Sequence, residues 1–68
     1  MQMIPVSSYG ISAIGYENRT LYIRYKSGTL YAYDGVPEHI FNSLMNTDLK
    51  GMYFLTYIKG IYPSCKLN

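Results

Sequence analysis

From Thr20 to Lys26 the side chains alternate without a break: Leu21, Ile23 and Tyr25 fall on one side, Tyr22, Arg24 and Lys26 on the other. A period of two is the mark of a half-buried strand. Ser12 to Tyr16 reads as a strand before it, reversed by Glu17-Asn18-Arg19, and Lys26-Ser27-Gly28 reads as a hairpin turn into a third strand, Thr29 to Tyr33. Asp34-Gly35 ends that strand. Residues 1–11 carry Pro5, two serines and Gly10, which describes an extended leading segment with room for a short strand or turn.

After Gly35 the period changes. Pro37 suits a first helical turn, Glu38 complements the helix dipole, and Ile40, Phe41, Leu44 and Met45 recur at three- and four-residue spacing. A helix is predicted over 37–46. Asn46-Thr47-Asp48 supplies capping residues for a second helix carrying Leu49, Met52, Tyr53 and Leu55 to Ile58, ending near Lys59-Gly60, with Gly51 a weak point in its first turn. The order β-β-β-α-α predicts an α+β fold, a small three-stranded antiparallel sheet with two short helices on one face.

Length confines this to one domain, residues 1–68, with a core over about 4–62 and a tail over 63–68. The lone Cys65 closes no disulfide within the chain, and no Cys/His cluster suggests a structural zinc. Self-association is the remaining way for so small a chain to bury more apolar surface, so a homo-oligomer is expected. No basic, apolar leader and no membrane-length apolar run is present, which predicts a soluble, cytoplasmic protein.

Charge narrows the partners. Six cations stand against four acids, a net of +2, and no run of like charge occurs. Gripping duplex DNA neutralises about 6 to 10 phosphates, which would consume every cation in the chain. A short single strand or a small nucleotide-derived ligand needs only two or three. Tyrosine is the unusual component, nine residues with two Phe and no Trp. Its flat ring and wet hydroxyl suit binding surfaces, while in a tiny domain it also serves as a large filler whose hydroxyl reaches solvent.

Which tyrosines are free depends on the register of one hairpin. With Ser27-Gly28 as a two-residue loop, Lys26 pairs with Thr29, and Tyr31 and Tyr33 join Tyr22 and Arg24 on an open platform. With Lys26-Ser27-Gly28 as a three-residue loop, Tyr25 pairs with Thr29, and Tyr31 and Tyr33 lie beside Leu21, Ile23 and Tyr25. Ser is a poor first residue for a type I′ turn, so local chemistry favours the three-residue loop. In that register Tyr22, Arg24 and Lys26 remain together on the opposite face.

Ile4-Pro5-Val6-Ser7-Ser8, Ile14-Gly15-Tyr16, Lys26-Ser27-Gly28, Tyr31-Ala32-Tyr33, Gly35-Val36-Pro37, Gly51-Met52-Tyr53-Phe54 and Ile58-Lys59-Gly60-Ile61-Tyr62 follow one another in an order that resembles the KTSC domain. That family occurs at the C-terminus of some lysyl-tRNA synthetases and as free-standing small proteins of bacteria and their phages. Its most recognisable element is the Tyr-x-Tyr, here Tyr31 and Tyr33. The resemblance implies fold and boundaries, and its synthetase context suggests RNA binding. Met52 stands where a basic residue is common, and residues 64–68 match nothing in the family pattern.

Enzyme chemistry finds little support. The only imidazole, His39, falls in a helix turn, and the only thiol, Cys65, follows Pro63-Ser64 in a segment expected to fray. Glu17, Asp34, Glu38 and Asp48 sit where turns and caps account for them. A non-catalytic binding module without cofactor or metal is therefore expected, taking short single-stranded RNA or a nucleotide-derived small molecule. Candidate contacts are Tyr22, Arg24, Lys26, Tyr31, Tyr33, Lys50, Lys59 and Tyr62, with rings stacking on bases and cations meeting phosphate. A phage member could sequester a signalling nucleotide in this way. Two other readings stand beside it: a protein-interaction module such as a phage-encoded antagonist of a host defence or regulatory protein, and a minimal structural domain whose tyrosines are all core.

Overall fold

The computed structural model describes residues 1–68. Its strands are β1 (Ile4–Pro5), β2 (Ile11–Glu17), β3 (Thr20–Tyr25), β4 (Leu30–Asp34) and β5 (Ser64–Lys66), with helices α1 (Glu38–Asn46) and α2 (Lys50–Tyr57) between β4 and β5. The strands form one antiparallel sheet in the order β1-β2-β3-β4-β5. The α+β class and the two helices are as the sequence predicts. The sheet, however, has five strands and not three.

Both extra strands lack the signal from which strands are read. β1 is two residues long, too short to show a period, and its Pro5 is tolerated because it lies on an edge strand. β5 is polar and exposed throughout, so no apolar alternation marks it. Backbone pairing and one side chain hold it: Asp34 N–H donates to the Pro63 carbonyl at 2.9 Å and Leu67 N–H to that of Leu30 at 2.8 Å. Asn68 completes the clamp. Its Oδ1 accepts from Leu30 N–H at 2.7 Å, and its Nδ2 donates to the Gly28 carbonyl at 3.2 Å. The segment expected to fray is thus a sheet edge.

The β2–β3 turn is a two-residue loop, with Glu17 facing Thr20 and both Asn18 and Arg19 left-handed, at φ of 53° and 62°. This is the type I′ geometry that suits the right-handed twist of the strands. In β2 a bulge between Ile11 and Ala13 adds one residue, so Ile11 and Ile14 both reach the helix side, opposite Tyr25 and Ile23. Ser12, the extra residue, donates its hydroxyl to the Arg24 carbonyl at 3.2 Å.

One face of the sheet carries the core. Ile11, Ile14, Leu21, Ile23 and Tyr33 pack with Val36, Leu44 of α1, and Phe54 and Ile58 from α2 and its end. Tyr16 stacks flat on Phe41 of α1, with centroids 4.6 Å apart, and donates its hydroxyl to the Val36 carbonyl at 2.6 Å. Neither helix has a side-chain cap hydrogen bond. Thr47, expected to cap α2, instead accepts from Leu49 N–H through Oγ1 at 3.1 Å, and the helix opens on Leu49. Gly51 is no flaw in α2: a Cβ there would lie 3.0 Å from the Tyr9 carbonyl, so its lack of a side chain lets the 8–10 segment lie against the helix.

Arg19 is the one long side chain held left-handed, and its Nη2 makes only an exposed 3.4 Å hydrogen bond to the Gly35 carbonyl. Arg19→Gly should therefore raise stability by about 0.5 to 1 kcal/mol, the relief of a left-handed L-residue being partly offset by glycine's freedom in the unfolded chain. Chemical denaturation of the two proteins would check this; a less stable variant would show that the Arg19 contacts outweigh the strain.

Candidate functional site

The site is set by the turn after β3. Tyr25 N–H donates to the Thr29 carbonyl at 2.9 Å and Gly28 N–H to that of Tyr25 at 2.8 Å, with Gly28 left-handed at φ 96°. This is the three-residue loop that local chemistry favours, and it pairs Ile23 with Tyr31 and Leu21 with Tyr33. Tyr25, Tyr31 and Tyr33 therefore share the helix side of the sheet.

There they form one aromatic group. Tyr31 lies beside Tyr33 at 6.2 Å, nearly parallel, and Tyr25 meets Tyr31 edge-on at 5.6 Å. Phe54 of α2 closes the inner side, edge-on to Tyr33 at 5.2 Å and to Tyr25 at 6.1 Å. Tyr33 is buried, with 2% of its surface exposed, while Tyr25 and Tyr31 are half-buried. The hydroxyls of Tyr25 and Tyr33 are 2.8 Å apart and hydrogen-bonded.

Burial pushes the Tyr33 phenol well above its ordinary range, and the hydrogen bond to Tyr25 and the neighbouring Tyr25 and Tyr31 push the same way. Burial also raises the Tyr25 phenol, against the opposing effect of its bond to Tyr33. At neutral pH both are uncharged groups that donate and accept hydrogen bonds.

A cleft of about 500 Å³ opens over these rings, lined by Tyr25, Ser27, Thr29, Tyr31, Tyr33, Lys59, Gly60, Ser64 and Lys66. Three pieces of chain bound it: the β3–β4 hairpin tip, the turn after α2 and the edge strand β5. Because Lys66 pairs with Tyr31 and Ser64 with Tyr33, both face the tyrosine side, and Cys65, paired with Ala32, faces away. A flat aromatic face is thereby combined with two exposed ammonium groups and several hydroxyls. Such a lining can stack on a ring and neutralise an anion.

Of the residues singled out in the sequence, Tyr31, Tyr33 and Lys59 come together in this cleft. Tyr22 and Arg24 lie on the opposite sheet face, where Arg24 Nη1 donates to the Gly28 carbonyl at 3.4 Å. Lys26 is exposed in the hairpin turn. Lys50 lines a different groove and donates from Nζ to the Thr47 carbonyl at 2.7 Å. Tyr62 packs half-buried against the core. Sequence reasoning missed Tyr25 and Lys66 as cleft residues. Tyr25 was in reach, since the favoured register already places it with Tyr31 and Tyr33; Lys66 was not, because nothing marks β5 as a strand.

Fold and site together define a small α+β domain with one helix-covered sheet face and a tyrosine-lined cleft at the edge of that face. Residues 7–62 match the KTSC domain, and the chain belongs to that family. It is similar to an uncharacterized protein of Stutzerimonas stutzeri (strain A1501), with 30% identity over 56 residues and 79% of each chain covered. It is also similar to a KTSC domain protein of Yersinia pestis known from its crystal structure, with 39% identity and a TM-score of 0.94 over 98% of this chain and 97% of that one. No helix is long and apolar enough to cross a membrane.

The coupled phenols have a consequence for stability. Both hold their protons more tightly in the folded chain than in the unfolded one, where tyrosine titrates near 10.0. Their contribution is complete below that pH and is lost as the pH rises toward the folded-state values. The melting temperature should be level from neutrality to about pH 9 and then fall, and Tyr33→Phe should flatten the alkaline decline. Melting curves against pH with tyrosinate absorbance would check it; an identical decline in Tyr33→Phe would assign the effect to other groups.

Proposed function

We propose that this protein is a non-catalytic, cytoplasmic binding module for a nucleotide-type ligand, held in the cleft over Tyr31. The observation that carries the reading is the convergence of the half-buried Tyr31 ring with Lys59 and Lys66 around one opening. A base stacks on Tyr31, the lysines meet phosphate, and the neutral hydroxyls of Tyr25, Ser27 and Thr29 accept or donate hydrogen bonds to sugar and base edges. The cleft is short and has two cations, which favours a small nucleotide or the end of a single strand over a long backbone track. Sequestration of a signalling nucleotide is one use of such a cleft.

The non-catalytic part of the reading also has an observation behind it. Cys65 points away from the helix side of the sheet, whereas His39 belongs to α1 on that side, so thiol and imidazole are separated by the sheet. The minimal structural alternative is served by Tyr16 and Tyr33, which are bonded into the core. It leaves Lys59 and Lys66 beside Tyr31 without a role.

Titrating nucleoside mono- and diphosphates, cyclic dinucleotides and a short oligonucleotide against tyrosine fluorescence or by calorimetry tests the proposal. At least one should bind saturably and more weakly as salt rises. Tyr31→Ala should then cost about tenfold or more in affinity, as loss of one stacking contact does, and Lys59→Ala and Lys66→Ala each several-fold. Tyr22→Ala, on the opposite face, should leave binding unchanged. No saturable response to any of the panel would sink the reading, and equal sensitivity to Tyr22 and Tyr31 would move the site to the other face.

A further inference from the structure

We propose that the outer flank of α2 is a self-complementary surface on which a second copy of this chain docks, α2 lying antiparallel against α2. The helix turns Phe54 inward, with Ile58 just beyond its end, yet Leu49, Met52 and Leu55 are left 63%, 67% and 61% exposed. Beside them Tyr9 is 95% exposed. Between the 8–11 segment and the helix runs a groove of about 520 Å³, lined in part by Gly51 and Tyr9, where the absence of a side chain on Gly51 lets the Tyr9 carbonyl approach. The patch thus holds a ridge and a groove side by side, the form that a two-fold axis brings into register with itself.

Spacing and charge settle the orientation. An axis passing between Met52 and Leu55 places Met52 against Leu55 of the partner subunit, and the reverse. The same axis brings Asp48, just before the helix, beside Lys59 of the partner subunit, just after it. Both Asp48 and Lys59 line the groove, and neither forms an ion pair within its own chain. A parallel arrangement would set Asp48 against Asp48 and Lys59 against Lys59. The antiparallel one also opposes the helix dipoles favourably.

Area fits as well. The four exposed side chains present on the order of 500 Å², an apolar centre for the roughly 800 Å² per partner that a stable interface occupies, with Ser8, Gly10, Asp48 and Lys59 as its polar rim. The proposal does not rest on the nucleotide reading, because none of its apolar anchors lines the tyrosine cleft.

Light scattering and sedimentation equilibrium test it. The wild-type chain should have twice the 7.8 kDa mass of the monomer, and Met52→Glu and Leu55→Glu should give the 7.8 kDa mass with unchanged circular dichroism. Asp48→Lys and Lys59→Asp should each raise the dimer dissociation constant about tenfold, and the double reversal should restore most of it. A wild-type monomer at every concentration overturns the proposal. So does a dimer that survives Met52→Glu, which would place the interface elsewhere, or a double reversal no tighter than its single parents.

Discussion

Everything on the helix side of the sheet depends on the three residues Lys26, Ser27 and Gly28. Gly28 accepts the left-handed conformation that closes the loop, and the Gly28 N–H to Tyr25 carbonyl bond fixes its length. One residue fewer would shift the pairing by one and send Tyr31 and Tyr33 to the other face. The core would then lose Tyr33, and Phe54 would lose one of the two rings that it packs against edge-on. A single turn therefore decides at once what fills the core and what lines the cleft.

The tyrosine cluster is shared between those two tasks by depth. Tyr33 lies innermost, hydrogen-bonded through its hydroxyl, and contributes packing more than access. Tyr25 and Tyr31 are half-buried, and both line the cleft that Lys59 and Lys66 also line. A phenylalanine could replace Tyr33 in shape, but the hydroxyl of Tyr25 would then lack that partner in a partly desolvated place. The hydroxyl pair is what lets a polar group sit at the floor of an otherwise apolar core. It also ties the cleft to the folded state, since both phenols hold their protons more tightly there than in the unfolded chain.

Much of this architecture could be read from the residues. Alternation in 20–25 marks β3 and its buried side, the spacing of Ile40, Phe41, Leu44 and Met45 marks α1, and the turn chemistry of Ser27-Gly28 points to the register that is found. What was illegible is what backbone pairing alone creates. β5 is Ser-Cys-Lys, held by main-chain bonds and by Asn68 clasping Leu30 and Gly28, and no propensity scale detects such a clasp. With β5 unseen, Lys66 looked like a residue of a loose end. The cleft was accordingly half-legible: its floor of tyrosines follows from alternation, while one of its two cations follows only from the sheet's last strand.

Lys59 joins the two surfaces of the molecule. It lines the tyrosine cleft and also the groove along α2, because the turn after the helix stands between them. In the two proposals such a cation would meet an anionic ligand on one side and an acidic neighbour on the other, and it could not serve both in full. If Asp48 of a second copy takes Lys59, the cleft keeps Lys66 as its uncommitted charge, and the attraction for phosphate weakens as the dimer tightens. Ligand and partner would then oppose one another through one side chain, and by linkage the effect of each on the other must be equal in size. No moving element is required for this coupling; it follows from the placement of one lysine.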